Sequence, residues 1–400
     1  MVREFAITIY LAIFSFFFNL FKLFPVKSKI VFCISFVENT AFIYEELKKR
    51  NVNTRIVLIN ENNACFSYFS QKNDNDTVLL LKPKKIYSFL LSIYHLATAK
   101  VIILDNYFGF LSAIQFKKEV KKVQIWHAAG AIKQFGLKDP SIQNRSKRAN
   151  ERFKLVYNQF DHIIVGSKKM EHIFIEAFGV KSSQFIYTGI PRTDIFFDEI
   201  TKRKIVQNLQ STYPLIKDKK IILYAPTFRD GELNNYRLPI DLSSLQKRLG
   251  DSYILILKLH PAIKNSIDIE KYHNFALNLS NYPRINDLLF ITDYLITDYS
   301  SIPFEFSFLH KPMIFFPYDL EDYIATRGIW ESYESMVPGP VVYSTEAIVD
   351  AICSNSFDLN RITSFHQTWN EFSVGHSSSN LVLLIEEWIN ENKKSRKSTR

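Results

Sequence analysis

After Pro25 the chain alternates short, almost wholly apolar runs with segments whose apolar positions recur every three or four residues. KIVFCISF (29–36), TRIVLIN (54–60), KVIILDN (100–106), KKVQIWHAAG (121–130) and DHIIVGS (161–167) predict strands. TAFIYEELKKR (40–50), KIYSFLLSIYHLATA (85–99), RSKRANERFKLVYNQF (145–160) and KKMEHIFIEAF (168–178) predict the helices between them. Buried strands that alternate with helices indicate parallel sheet built from βαβ units. The pattern restarts after GIPRTDIFF (189–197) with KKIILYAPTFRD (219–230), YILILKLHP (253–261), INDLLFITDYLITDYSS (285–301) and KPMIFFPYD (311–319). IPFEFSFLH (302–310) reads as a helix, and NLVLLIEEWINE (380–391) as a closing helix that packs back on the first domain. The expected organisation is an apolar segment at 1–24, α/β domains at 25–190 and 191–360, and a C-terminal helix and basic tail at 361–400.

Ahead of Pro25 the pattern differs. Phe5 to Phe18 carries no charge and is followed by Asn19 and Lys22. A helix needs about 20 apolar residues to cross hydrocarbon, and Phe5 to Phe24 reaches that length only with both included. The stretch reads best as an interfacial helix rich in phenylalanine, ahead of a spanning helix or a buried first helix of the domain. No small-x-small cleavage site follows, which weakens a secretory-signal reading. No second long apolar stretch appears, which excludes a polytopic channel or transporter.

Length and composition support this division. Four hundred residues with 47% hydrophobic content exceed what one core usually holds, so two domains are expected. The net charge of +10 is concentrated: residues 117–154 hold eleven basic and three acidic side chains, and KKSRKSTR closes the chain with five more basic ones. Such a field suits phosphates or an anionic membrane surface. Nucleic acid is not expected as a partner, because no zinc-finger, RNA-binding-sheet or glycine-rich clamp pattern accompanies the charge. Cys33, Cys65 and Cys353 are too scattered for a disulfide framework or a metal pair.

The chemically loaded residues fall at predicted strand ends, where open α/β sheets bind ligands, and two successive domains are expected to turn these ends toward a shared cleft. His127 ends a strand before the small residues Ala128, Ala129 and Gly130. It reads as a general base or as a structural histidine, with Lys133 following in the basic stretch. Arg229 reads as a phosphate fork or as a partner of Asp230. His260 leaves an apolar strand and reads as a donor to a leaving phosphate or as a cleft-holding residue. Ser300 and Ser301 precede Pro303 at a helix start, an anion-binding arrangement or a plain cap. Glu305 would reach a ribose or glycerol hydroxyl, and Arg327 before Gly328 forms a second phosphate clamp. Dinucleotide-binding, P-loop, zinc-peptidase and nucleophile-elbow motifs are absent.

The ordered set WHAAGAIKQFG, GIPRTD, YAPTFRD, LKLHP, ITDYSSIPFEF with HKPMIFFPYDLEDY, and TRG resembles the CDP-glycerol glycerophosphotransferase family of teichoic acid synthesis, over roughly residues 29–384. The short chain and the WHAAGAIK form look most like its primase branch. The resemblance implies a GT-B-like fold of two Rossmann-like domains, with the nucleotide held mainly by the second. It implies transfer of one glycerol phosphate from CDP-glycerol to an N-acetylmannosaminyl-N-acetylglucosaminyl undecaprenyl diphosphate, with release of CMP. It places the family's base on His127, its second essential histidine on His260, and donor contacts on Ser300, Ser301, Glu305 and Arg327. Arg229 is read with the donor side and Lys133 with the acceptor side. Asn380 in GHSSSN replaces an arginine of the family's closing segment. No cofactor is required, Mg²⁺ on the diphosphate stays open, and so does homo-oligomerisation. The acceptor's lipid implies a peripheral protein on the cytoplasmic face of the cell membrane. The alternatives are a glycerol- or ribitol-phosphate polymerase acting on a primed linkage lipid, a GT-B glycosyltransferase, and a non-catalytic glycan-binding scaffold.

Overall fold

The computed structural model describes residues 2–72, 75–229, 235–260, 263 and 267–397. Asp230, Pro261 and the side chains of the basic tail lie outside the described residues. The chain forms two compact units, one of residues 1–128, 135–194 and 372–400, the other of 129–134 and 195–371.

In the first unit seven described strands form one parallel sheet: β1 Lys27–Ile34, β2 Arg55–Asn60, β3 Thr77–Leu80, β4 Ala99–Leu104, β5 Lys121–Gln124, β6 His162–Ile164 and β7 Phe185–Ile186. Their order is β3-β2-β1-β4-β5-β6-β7. Phe32 of β1 pairs with Leu58 on one side and Ile103 on the other. Helices cover both faces of these central strands, so β4 is buried at all six positions. That double covering explains why the strands read as unbroken apolar runs. The order reverses between β1 and β4, and loops leaving such a switch point splay apart to form a crevice.

The last helix, Ser377–Lys397, completes this core with Leu381, Val382, Ile385, Trp388 and Ile389. Asp194 of the GIPRTD turn accepts the Ser377 and Ser378 backbone N–H groups at 2.9 and 2.7 Å, capping that helix. A carboxylate suits a helix N-terminus, where N–H groups lack intrahelical partners. Gly189 (φ +83°) approaches Phe372 and Ser377 so closely that a Cβ would sit 2.5 Å from their oxygens. The preceding helix, Leu359–Trp369, lies in the second unit, and the chain is back in the first unit from Phe372.

Helix Val2–Phe21 lies against the first unit along one side only. Phe14 and Phe18 are fully buried, stacking on Phe110 at 4.7 Å and meeting Phe116 at 5.1 Å. Glu4 forms a two-pronged pair with Arg152 at 2.8 and 2.9 Å. Phe5, Ile9, Ile13, Phe16 and Leu20 are exposed at helical spacing on the opposite side. The stretch Arg3–Phe21 is long and apolar enough to cross a membrane, with a mean hydropathy of 1.8.

The second unit carries five described parallel strands: β8 Lys220–Tyr224, β9 Tyr253–Leu257, β10 Ala276–Asn278, β11 Tyr294–Thr297 and β12 Met313–Phe315. Their order, β10-β9-β8-β11-β12, reverses between β8 and β11. Its core joins Ile222, Leu255, Leu257, Ile296 and Ile314 of the sheet to Leu245 and Ile348 of flanking helices. Two parallel sheets flanked by helices, one per unit, make this a GT-B-like two-domain fold.

Candidate active site

In the first unit the switch point gathers the loops after β1, β4 and β5. Asp105 follows β4 and is 1% exposed. Its carboxylate accepts the Ser35 N–H at 2.9 and 3.0 Å and the Phe36 N–H at 2.8 Å. Burial pushes this carboxyl up to about 8, the two backbone donors pull it back, and Glu61 and Glu38 add repulsion.

His127 follows β5 and lies 3.2 Å through Nδ1 from the Asp105 carbonyl oxygen. A carbonyl only accepts, so this bond places the proton on Nδ1 and the lone pair on Nε2. The imidazole is stacked between Trp126 at 4.2 Å and Phe36 at 4.5 Å, each ring tilted 29° from it. Trp126 adopts φ +54°, a costly backbone for a bulky residue. Gln124 accepts its N–H at 2.9 Å, and Asn39 donates to its carbonyl at 2.9 Å. Asn39 also accepts the Arg192 N–H at 3.0 Å, tying this loop to the GIPRTD turn.

Immediately beyond His127 the chain enters the second unit. Gly130 lies so close to Phe304 that a Cβ would sit 2.5 Å from its ring. Lys133 bridges antiparallel to Ile329, Gln134 donates to the Gly328 carbonyl at 3.1 Å, and Trp330 donates to that of Ile132 at 3.1 Å. Lys133, expected on the acceptor side of the first domain, is therefore built into the second unit beside the TRG segment. Gly130 is needed for this close passage.

The second unit's own switch point is organised by Arg229. Its guanidinium donates to both Asp319 oxygens, at 2.8 and 2.7 Å, to Asp298 at 2.8 Å and to the Thr227 carbonyl. Tyr299, Tyr318 and Tyr323 surround it, their centroids 5.1, 4.9 and 5.3 Å away. Burial opposes its charge, but Asp319 and Asp298 outweigh that and raise its pKa. Its fork is filled by protein carboxylates and ties together the loops after β8, β11 and β12.

Ser300 Oγ accepts the Ile302 N–H at 3.3 Å, whereas Ser301 begins helix Ile302–Phe306 without a side-chain cap. Capping thus explains one serine at most. Glu305 is 2% exposed, within the core side of that helix. Arg327 ends helix Leu320–Arg327, and Gly328 (φ +64°) turns the chain toward the Lys133 strap. His260 is exposed and lies on Phe228 at 4.3 Å. Partial burial, then the Lys258 and Lys133 ammonium groups, lower its pKa below 6.5. The second unit therefore sets Lys133 beside the Arg327–Gly328 turn, with its charge felt at His260, while Arg229 and Glu305 are held inside the unit. Among the described residues no group of three or more His, Cys, Asp or Glu side chains is arranged to hold a metal ion.

Asp105, Phe36, Asn39 and Asp319 were not singled out in the sequence. The only signal for Asp105 is the polar end of KVIILDN, and Asp319 is 90 positions from the arginine it binds.

The model of the family described as CDP-Glycerol:Poly(glycerophosphate) glycerophosphotransferase matches residues 15–387. The chain is 39% identical over 363 residues to the teichoic acid glycerol-phosphate primase of Bacillus subtilis (strain 168), covering 91% of this chain and 93% of that one. It is 35% identical over 381 residues to the teichoic acid poly(ribitol-phosphate) polymerase of Bacillus spizizenii (strain ATCC 23059 / NRRL B-14472 / W23), covering 93% of this chain but 58% of that one. The solved structure of the wall teichoic acid polymerase TagF superposes with a TM-score of 0.79 at 25% identity, covering 98% of this chain and 99% of that one.

Proposed function

Because the chain belongs to the CDP-glycerol:poly(glycerophosphate) glycerophosphotransferase family, we propose that it moves glycerol phosphate from CDP-glycerol to a lipid-linked acceptor of teichoic acid synthesis and releases CMP. The observation that carries this reading is His127 at the end of β5, with its lone pair set on Nε2 by the Asp105 carbonyl. An acceptor hydroxyl attacks the phosphorus that bears glycerol, and His127 Nε2 takes its proton as the bond forms. The CMP phosphate departs with the electrons of the broken P–O bond. His260, neutral near pH 7 by its lowered pKa, offers an N–H to the donor phosphates. Lys133, Arg327, Ser300 and Ser301 supply further charge and donors there, a task of positioning and electrostatics without a covalent intermediate.

Two acceptors fit this chemistry, and a separate observation supports each. Extension of an already primed linkage lipid, with glycerol or ribitol phosphate units, is supported by the TagF polymerase structure, whose fold this chain shares along 98% of its length. Addition of the first unit to the unprimed undecaprenyl diphosphate disaccharide is supported by the primase relative, matched over 93% of its length. The solved structures weigh toward the polymerase. The exposed apolar row of helix Val2–Phe21 would hold the protein on the cytoplasmic face of the membrane, where soluble donor meets polyprenyl acceptor. Mass spectrometry of products from CDP-glycerol or CDP-ribitol with primed or unprimed lipid analogues tests all of this. Multiple additions on the primed lipid give the polymerase, a single addition on the unprimed lipid gives the primase, and no CMP from any pair overturns the transferase reading.

A further inference from the structure

The ring of His127 is held by more than its neighbours in sequence. Trp126 covers one face, but the other is covered by Phe36, from the loop after β1, at 4.5 Å. The backbone N–H groups of that loop are held by one buried carboxylate. Asp105 binds the backbone N–H groups of Ser35 and Phe36 through its side chain and His127 Nδ1 through its carbonyl. One residue thus sets both the ring's hydrogen bond and the aromatic wall against which the ring lies. Glu61 adds a second tie by accepting the Ser35 hydroxyl at 2.6 Å.

We propose that Asp105 and Phe36 are positioning residues for His127, forming a clamp that fixes the imidazole plane and the direction of Nε2. The inference rests on reading His127 as the base. Two ring faces against an imidazole restrict its rotation about the Cβ–Cγ bond, while the Nδ1–H bond selects the tautomer. When the base takes a proton, the same two faces lie against a cation, which aromatic π-systems attract. Phe36 is 40% exposed, so the core does not require a ring at this position. Asp105 is a buried carboxyl that the transfer chemistry itself does not use.

The test compares Phe36→Leu, Phe36→Tyr, Asp105→Asn and His127→Ala in CMP-release assays, using CDP-glycerol and a short polyprenyl diphosphate disaccharide analogue, primed or unprimed as the wild type requires. Misplacing a reacting group by about 1 Å can cost on the order of 100-fold. Phe36→Leu is expected to lower kcat roughly 10- to 100-fold, with the CDP-glycerol Kd within about 2-fold of wild type. Phe36→Tyr restores the flat ring and should restore kcat. Asp105→Asn, which replaces an accepting oxygen by an amide NH2 that faces the Ser35 N–H, should match Phe36→Leu, and the double variant should lose little more than either. Wild-type kcat in Phe36→Leu, with His127→Ala inactive, would overturn the clamp and leave the base reading intact. Wild-type turnover in His127→Ala would overturn both. Phe36→Leu alone decides the matter if Asp105→Asn does not fold.

Discussion

Arg229 and Asp319 meet in a two-pronged ion pair, Nε to Oδ2 at 2.8 Å and Nη2 to Oδ1 at 2.7 Å, with Asp298 bound to the same guanidinium. Three loops of the second unit depend on that one side chain. Removing one member of a buried pair leaves an uncompensated charge and costs about 3 to 5 kcal/mol. Arg229→Met should therefore lower the melting temperature of the protein markedly. Unchanged thermal stability combined with a raised CDP-glycerol Kd would show instead that the guanidinium serves the donor phosphates.

The reason this knot was not legible in the sequence is distance along the chain. Asp230 adjoins Arg229, so it was the partner that local reading offers, whereas Asp319 and Asp298 arrive from the ends of β12 and β11 through the sheet. The strand ends themselves were legible, because doubly covered parallel strands such as β4, β8 and β9 leave apolar runs that stop at Asp105, Thr227 and Lys258. The short edge strands β3 and β10 leave no such record. The passage of Gly130 against Phe304 was equally hidden. AAG announces close packing but not the identity of the partner, so the place of Lys133 in the second unit could not be read from it.

Helix Val2–Phe21 has two faces with separable roles. Ile9→Ser with Phe16→Ser, on the exposed row, should reduce co-sedimentation with anionic vesicles and leave the melting temperature unchanged. Phe14→Ala, on the buried face, should destabilise the first unit by about 3 to 5 kcal/mol. Vesicle binding that survives the serine pair would remove the anchoring role of this row.

Lys29 supplies a pH signature. Its ammonium is 1% exposed, bonded to Thr98 Oγ1 at 2.7 Å and close to His95 Nδ1 at 3.0 Å. Burial lowers its pKa to about 7, with Arg55 and Lys27 adding repulsion. The unfolded chain keeps that proton up to its ordinary value of 10.5, so between pH 7 and 10.5 the unfolded state binds more protons and stability rises with pH. Lys29→Met removes the cost. It should raise the melting temperature most at and below pH 7, and the gain should shrink toward pH 10. A gain independent of pH would mean that Lys29 is not the titrating group.

Donor recognition is expected to depend on Arg327, which ends its helix beside the Lys133 strap. A charged hydrogen bond contributes about 1.5 to 3 kcal/mol net, or on the order of 10- to 100-fold in Kd. Arg327→Ala should weaken CDP-glycerol binding by that factor in calorimetry, with the circular dichroism spectrum unchanged. Equal affinity in variant and wild type would remove Arg327 from the donor site.

His260 is the residue whose protonation decides its role. Partial burial and the Lys258 and Lys133 charges lower its pKa, so in the free protein it should titrate below 6.5 when followed by the NMR shift of its ring proton. A neutral imidazole near pH 7 donates one N–H and carries no charge, so it serves the donor phosphates as a hydrogen-bond donor. Glutamine can also donate an N–H, whereas alanine cannot. His260→Gln should therefore keep CDP-glycerol affinity closer to wild type than His260→Ala, and both should turn over more slowly if the imidazole also protonates the departing CMP. The two losses separate by measurement: calorimetry reads the N–H contact, and single-turnover CMP release reads the proton. A midpoint at or above 6.5 in the free protein, with glutamine no better than alanine, would assign His260 a cationic role in place of the neutral one.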